Sequence, residues 1–404
     1  MIRLLAIGLF LFFSQHLLAQ DAAKEDVKPE VAKPPEPPKP PEKKYSWDYE
    51  FKLELTSNVD KQKNDTTEVK TNTSLFNSAR NRINFRTEVA PNLAFRTRIR
   101  FDKEKTDLAK DAAGFMIMAD YMFVTHKIGD LALMIGKVPI NSGSIEGSES
   151  SLDMYHNSKF VASFVWPWSS SAGVRAEYTV AKQVFALWSF NTLYGGSKYT
   201  TPAATATTNT GTAKKYNGDL AYGIQWRGDF NGIVKPIIGY TSVPHQPDEF
   251  TATATGVVTK SKKYFTNVTG VGTKILAGPA TFHIEYDMAA EPEYDKVSIM
   301  NGTISKAKKV DVNAIVALYR HKFTPMVSTI LKVTQDNFKL GGEKQHAVNG
   351  YSLALELRPE AESMFYYTVS YASMDDKYSG TFKDGGGFTQ ISSQYANVGV
   401  NARF

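Results

Sequence analysis

Arginine recurs at alternate positions in one short stretch of this chain. Because successive side chains of a β-strand point to opposite faces, residues two apart share a face. The spacing predicts an arginine ladder on two neighbouring strands, with Phe85, Phe95 and Ile99 on the opposite face. These cations must contact water or acidic groups. They either line a functional site or form a solvated, partly ion-paired wall without a special role. The members of the ladder are Arg80, Arg82, Arg86, Arg96, Arg98 and Arg100.

Residues 140–169 combine acids with a strongly apolar run. The apolar part, residues 160–168, is unsuited to solvent, so we expect it to pack inside the protein or, as alternatives, to form a subunit contact or an additional strand. A methionine-rich strand face is the expected packing partner. The acids of this segment are Glu146, Glu149 and Asp153. The methionines are Met116, Met118 and Met122.

The histidines do not form a catalytic or metal-binding pattern. The sequence has no GxSxG elbow and no HExxH pair. His283 shares a predicted face with Glu285 and Asp287, but a polar strand face explains that spacing equally well. We therefore predict no enzyme activity, no cofactor and no metal site. The histidines considered are His126, His156, His245, His283, His321 and His346.

The ladder belongs to a pattern of alternating apolar and polar residues that begins at Tyr45. This period of two predicts β-strands with one apolar and one polar face. We count about sixteen strands, and with an even number both chain ends lie on the same side of a membrane that the strands cross. The predicted strands lie near 45–55, 79–89, 93–101, 115–123, 131–139, 174–180, 183–192, 220–226, 232–241, 262–275, 282–288, 310–318, 325–335, 351–357, 365–371 and 395–404.

Long and short connections alternate between these strands. Membrane barrels have such alternation, with short periplasmic turns and longer outer loops, whereas a soluble β-sandwich has no reason for it. The predicted long loops are 57–74, 103–112, 140–169, 194–217, 243–261, 289–307, 336–347 and 374–390. The predicted short turns are 90–92, 128–130, 181–182, 229–232, 278–279, 323–325 and 358–360.

The first 44 residues differ from the rest of the chain. Residues 1–19 have a basic start, an apolar core and a small residue at Ala19, which predicts a cleaved signal peptide. Residues 20–44 are rich in Pro, Lys and Glu and predict a periplasmic linker. The linker is either an inert spacer or a tether that contacts the cell wall or a partner. Residues 45–404 then form the barrel, and the absence of cysteine fits export.

The end of the chain carries a family resemblance. Residues 395–404 alternate and stop on the aromatic Phe404. Together with the signal peptide, the strand number and the loop alternation, this ending resembles the sixteen-stranded bacterial outer-membrane porins of the general-diffusion or anion type. The resemblance implies an all-β transmembrane antiparallel barrel and makes Phe404 the membrane insertion signal. It also implies that the third outer loop, 140–169, folds into the lumen and sets its acids across from the arginine ladder.

The expected function is a water-filled channel for passive diffusion of ions and small hydrophilic solutes. A barrel acting mainly as an adhesin or surface structural protein is the alternative, because its loops are rich in Thr, Lys and Asn. Expected partners are outer-membrane lipid, lipopolysaccharide and two further copies in a homotrimer, and nucleic acid is not expected. The trimer follows from small outward residues on the last strand, which permit close packing. These residues are Ala396, Val398, Val400 and Ala402.

Overall fold

A computed structural model of the chain places its strands in order from Tyr45 to Arg403. It describes residues 45–64, 66–102, 116–140, 145–148, 157–165, 170–192, 197–201, 212–215, 219–245, 249–252, 257–260, 263–297, 304–361, 363, 365–379 and 388–403. The signal peptide, the linker, Glu149, Asp153, His156 and Phe404 lie outside these residues, as do the side chains of Arg80, Met116 and Met118. Within the described part, no helix is both long and apolar enough to cross a bilayer.

The strand bounds, in chain order, are β1 (Tyr45–Lys63), β2 (Glu68–Ala90), β3 (Leu93–Asp102), β4 (Met116–Ile128), β5 (Leu131–Pro139), β6 (Ser170–Val180), β7 (Gln183–Asn191), β8 (Ser197–Thr201), β9 (Thr212–Lys215), β10 (Leu220–Arg227), β11 (Val234–His245), β12 (Glu249–Ala252), β13 (Val257–Lys260), β14 (Tyr264–Ala277), β15 (Ala280–Glu291), β16 (Tyr294–Val297), β17 (Ile304–Ala307), β18 (Val310–Thr324), β19 (Val327–Leu340), β20 (Glu343–Leu357), β21 (Phe365–Tyr378) and β22 (Gln390–Arg403).

Sixteen of these strands form one closed antiparallel barrel. Its order is β1-β2-β3-β4-β5-β6-β7-β10-β11-β14-β15-β18-β19-β20-β21-β22. The last strand closes the barrel on the first, from the pair Glu50–Arg403 to the pair Lys63–Gln390. Closure leaves no unpaired strand edge, which a lipid environment requires. The predicted sixteen-stranded barrel is confirmed, and each predicted strand overlaps one barrel strand.

The barrel is apolar outside and polar inside. On β20, Leu353 is 54% exposed, whereas its neighbours Ser352 and Ala354 are 3% and 1% exposed. Ser352 pairs on the same face with Lys332 of β19, which is buried as well. A water-soluble protein would bury the apolar face, so the arrangement suits an apolar solvent around the barrel and water or polar groups within it.

Two of the predicted long loops are instead extended hairpins. Strands β1 and β2 continue to Lys63 and Glu68, and β19 and β20 continue to Leu340 and Glu343. The prediction of long loops at 57–74 and 336–347 was therefore wrong. Strand hydrogen bonds join backbone groups and do not require apolar side chains. The change to polar sequence consequently marks where the apolar outer face ends. The backbone hydrogen bonds between the strands continue beyond that point.

Three other predicted loops contain small sheets of their own. Strands β13, β12, β8 and β9 form a four-stranded sheet, in which β8 and β12 run parallel. Strands β16 and β17 form a two-stranded hairpin. These elements come from the predicted loops 194–217, 243–261 and 289–307. The connections at the opposite end are the short turns that the sequence predicts, including the two-residue turn Ala181–Lys182 with positive φ at both residues.

Strand β4 changes face along its length. Its register against β3 shifts between Arg98 and Ile99, so Tyr121 opposes Arg98 while Ala119 opposes Ile99. This β-bulge adds one residue and reverses the alternation beyond it. The prediction that Met122 faces inward and Tyr121 and Phe123 face outward was wrong. Met122 is 46% exposed, and the two aromatic side chains are buried on the inner face.

Candidate functional site

Strands β2 and β3 bring the arginines together by register. Arg82 lies opposite Arg100, and Arg86 lies opposite Arg96. In the strand register, Arg82 also lies opposite Glu50 of β1, which is a buried residue on the polar inner face. The shared face is therefore the inside of the barrel, as the spacing predicts. The backbone of Arg80 lies on the same strand.

A carboxylate at the bulge of β4 lies between two of these arginines. Asp120 is 3.4 Å from Nε of Arg82 through Oδ2 and 3.3 Å from Nε of Arg100 through Oδ1. The sequence reasoning did not single out Asp120. The sequence did contain a signal for Asp120. It is a carboxylate in an otherwise apolar strand, at a position that simple alternation places on the inner face. The inner wall at this point is therefore a cluster of arginines with one carboxylate between two of them.

A hydrogen-bond network connects the rest of the basic wall to acids of β1. The side chain of Asn84 is its centre: Oδ1 accepts bonds from Nε of Arg98 at 2.5 Å and from the hydroxyl of Tyr121 at 3.1 Å. Its Nδ2 donates to Asp48 at 2.6 Å. Arg98 also approaches Glu50 at 3.9 Å. Arg98 is therefore held in position by Asn84 and Glu50.

Tyr121 provides a ring surface for two of the arginines. The guanidinium carbon of Arg98 lies 4.8 Å from the ring centre, and that of Arg96 lies 5.2 Å from it. At this range the negative face of an aromatic ring attracts a cation. Arg86 and Arg96 are the exposed members of the ladder, whereas Arg82 is buried.

The segment between β5 and β6 folds against the inner wall on the other side of the barrel. Glu146, in a short 3₁₀ turn at Glu146–Ser148, is 1% exposed. Its carboxylate forms an ion pair with Lys332 of β19, and its backbone nitrogen donates to Glu285 of β15 at 2.9 Å. Ser158 of the same segment donates to this carboxylate through its backbone nitrogen at 2.7 Å and its hydroxyl at 2.6 Å.

Lys159 extends the attachment to two further strands. Its backbone nitrogen donates to Asp336 of β19 at 2.9 Å, and its Nζ contacts Asp376 of β21 at 2.6 Å. In barrel order, β15 is eight strands from β3, which is half of the circumference. The segment that leaves β5 therefore crosses the lumen, and its attachments extend from β15, opposite β3, to β21, which is three strands from β2.

This attachment corrects the expected partner of Glu146. The expectation was that the loop acids face the arginine ladder directly. Instead, Glu146 is neutralised by Lys332 on the far wall, because the segment reaches beyond the lumen axis. The acids that contact the arginine side chains are Asp120 of β4 and Glu50 of β1.

The apolar half of the segment packs, as expected. Phe160, Val161 and Val165 are at most 1% exposed, and a π-helical turn spans Val161–Val165. They belong to one apolar cluster with Tyr121, Phe123, Trp188 and Phe190 of the inner wall. The described part of the segment contains no strand, so the packed arrangement is the one that forms. Burying three large side chains supplies about 1.5–3 kcal/mol each.

Four carboxylates meet where the segment touches the wall. They are Glu146, Glu285, Asp287 and Asp336, each at most 1% exposed. Lys332 is the cation in contact with Glu146, the backbone nitrogen of Lys159 donates to Asp336, and Nε2 of His283 lies 2.8 Å from Glu285. Among the residues that the structure describes, no group of three or more His, Asp or Glu side chains has the geometry of a metal site.

Comparisons with known proteins identify the fold. No protein-family model and no curated protein sequence matches the chain. Solved structures do match. The outer membrane channel DcaP of Acinetobacter baumannii has a TM-score of 0.59 at 11% identity, with 89% of this chain and 97% of that chain covered. An anion-selective porin from Comamonas acidovorans has a TM-score of 0.58 at 9% identity, with 89% and 100% covered.

A third similar structure is OmpT, an outer membrane protein of Vibrio cholerae in a trimer form. Its TM-score is 0.55 at 12% identity, with 90% of this chain and all of that chain covered. The matches extend over nearly the whole of each neighbour, so the likeness concerns the complete barrel and not a local motif. The chain has the sixteen-stranded barrel fold of outer-membrane porins.

Proposed function

We propose that the protein is an outer-membrane porin, a water-filled channel for passive diffusion of ions and small hydrophilic solutes. The observation that carries this proposal is the inverted barrel, with large apolar side chains exposed outside and charged side chains within. A closed barrel of sixteen strands falls in the range in which the interior is wide enough for an aqueous path. In this proposal the barrel is a channel and not an enzyme.

The segment 140–169 forms the constriction in this proposal. Its contacts with Glu285 and Lys332 support a path across the lumen, and in this proposal the remaining opening lies between the segment and the arginine ladder. Opposite charges on the two sides of a narrow, low-dielectric passage produce a field across it. Polar solutes and hydrated ions can orient in this field, whereas apolar solutes lose hydration without compensation.

The remaining assignments complete the proposal. Residues 1–19 direct export and are removed, residues 20–44 form the periplasmic linker, and Phe404 guides insertion into the outer membrane. Lipid and lipopolysaccharide surround the barrel, and three copies associate. The trimer form of the OmpT structure supports that assembly, as do the small outward residues of β22.

One observation favours the alternative of a surface adhesin or structural protein. The outer loops are organised into a separate four-stranded sheet, which is more ordered structure than an open pore mouth needs. The two functions differ in a measurable property, because only a porin conducts ions through an isolated barrel.

Planar-bilayer recording tests the proposal. We expect purified protein to produce stepwise ion currents. Replacing Arg82, Arg98 and Arg100 together by Ser should shift the reversal potential in a salt gradient toward cation selectivity, because three positive charges leave the lumen. Replacement of the same residues by Lys keeps the charges and is the control. A folded, heat-modifiable barrel that carries no current would contradict the channel and favour the adhesin.

A further inference from the structure

A second group of cations lies on the inner wall at the short-turn end of the barrel, away from the arginine ladder. Arg227, Lys235 and Lys274 occupy inward positions of β10, β11 and β14, and Lys182 lies in the turn before β7. A cavity of about 490 Å³ is lined by all four of these side chains. That volume is in the range of small-molecule sites.

The register places like charges against each other in this cavity. Lys235 and Lys274 are direct cross-strand partners. Like charges directly opposite one another destabilise a sheet, so the pair is stabilised when an anion lies between the two ammonium groups. Beside this pair on the same inner face, Arg227 of β10 lies opposite Ile237 of β11.

One lysine of the cavity, Lys235, has a loosely held acid partner. Arg227 contacts Glu177 at 2.7 Å, but Lys235 is 3.5 Å from Asp229. The second distance exceeds the 2.7–2.9 Å that is usual for a charge-assisted hydrogen bond. The side chain of Lys235 is 41% exposed, so water screens this pair. An arriving anion can therefore replace Asp229 as the partner of Lys235 at low cost.

The cavity also has an apolar side that includes the infolded segment. Ile145, Val184 and Ile237 line it, and Ile145 is seated over Gly272, where a Cβ would lie only 2.8 Å from its Cδ1. The next residue, Glu146, holds the segment to Lys332. The cavity is thus bounded by cations on the wall and by an apolar part of the constriction itself.

We propose that this cavity, between Lys182, Arg227, Lys235, Lys274 and Ile145, binds a small organic anion with a phosphate or carboxylate group and a short apolar body. The anionic group lies between Lys235 and Lys274, and the apolar body contacts Ile145 and Ile237. The site is separate from the arginine ladder. Its role as a step in solute passage rests on the proposed channel, whereas binding itself does not.

Isothermal titration of the folded barrel in detergent tests the site, with phenyl phosphate as the probe. We expect phenyl phosphate to bind more tightly than inorganic phosphate, because the ring contacts the apolar side. Lys235→Gln with Lys274→Gln should weaken phenyl phosphate binding about tenfold, which corresponds to about 1.4 kcal/mol. Lys235→Arg with Lys274→Arg keeps the charges and should retain binding.

A matched control removes two other lysines at the short-turn end that do not line the cavity, Lys127→Gln with Lys322→Gln. This pair changes the net charge equally and should leave phenyl phosphate binding unchanged. Equal weakening in the control, or no weakening in the Lys235 and Lys274 variant, would overturn the site. Binding with the expected lysine dependence by a barrel that conducts no ions would retain the site and reject the channel.

Discussion

Asp120 and Tyr121 owe their positions to one extra residue in β4. Without the bulge, Tyr121 would face lipid, and the arginines would lack both the ring and the hydroxyl that reaches Asn84. The bulge therefore converts an aromatic residue of the outer face into part of the polar lumen wall. Bulges commonly redirect a side chain toward a functional site in this way.

Asp120→Asn tests the balance of charge at the arginine wall. Asparagine has nearly the same shape but removes the negative charge between Arg82 and Arg100. We expect the reversal potential to move toward anion selectivity, opposite in sign to the change from replacing the arginines. Asp130→Asn, in an exposed short turn, is the control and should have little effect. An unchanged reversal potential in Asp120→Asn would show that Asp120 and the arginines beside it lie away from the conduction path.

The infolded segment is held by charge at one end and by apolar packing at the other. The ion pair of Glu146 and Lys332 is buried, and the side chains of Phe160 and Val161 fill the apolar cluster. Removing one partner from a buried ion pair leaves an uncompensated charge and costs about 3–5 kcal/mol. The position of the segment should therefore depend strongly on this one pair.

Lys332→Met should loosen the segment while the barrel remains closed. We expect noisier single-channel currents with an altered step size, because the Glu146 carboxylate loses its partner. Lys339→Met, an exposed position on the same strand, is the control. Combining Lys332→Met with Glu146→Gln should recover part of the wild-type behaviour, since no buried charge is then left alone. Unchanged currents in Lys332→Met would mean that the packing of Phe160 and the contacts of Lys159 position the segment without this ion pair.

At the scale of the whole molecule, the proposed trimer depends on the seam between β22 and β1. Val398 is 58% exposed on the outer face, but Ala402 is covered, being 1% exposed beside Phe51 and Phe365. The small-residue surface available to another copy therefore consists of Ala396, Val398 and Val400. In a membrane, close packing of such surfaces is the main source of stability between subunits.

Replacing Ala396 and Val398 by Trp should separate the trimer into folded monomers, because the large rings prevent close approach. Mass measurement in mild detergent reports the assembly, and heat-modifiable mobility in a gel reports the fold. Replacing Leu353 and Tyr351 by Trp, on the lipid-facing side of β20, is the control and should leave the mass unchanged. A wild-type protein that is already monomeric before heating would contradict the proposed trimer.

Most of the architecture was predictable from the sequence because side-chain alternation reports a local property, the face to which each residue points. The number of strands, their approximate positions, the closed barrel and the short turns all follow from that pattern and from turn residues. The strand ends did not follow, as the hairpins of β1–β2 and β19–β20 illustrate, because backbone pairing continues where side chains no longer need to be apolar.

The site was only partly predictable for a different physical reason. Spacing alone placed the arginines of β2 and β3 on one face, and the apolar character of residues 160–168 predicted that they pack. Which acid neutralises which cation depends on contacts between residues far apart in sequence, such as Glu146 with Lys332, and on the bulge that turns Tyr121 inward. Such pairings arise only when the barrel closes and brings β5 and β19 across one lumen, so the tertiary structure decided them.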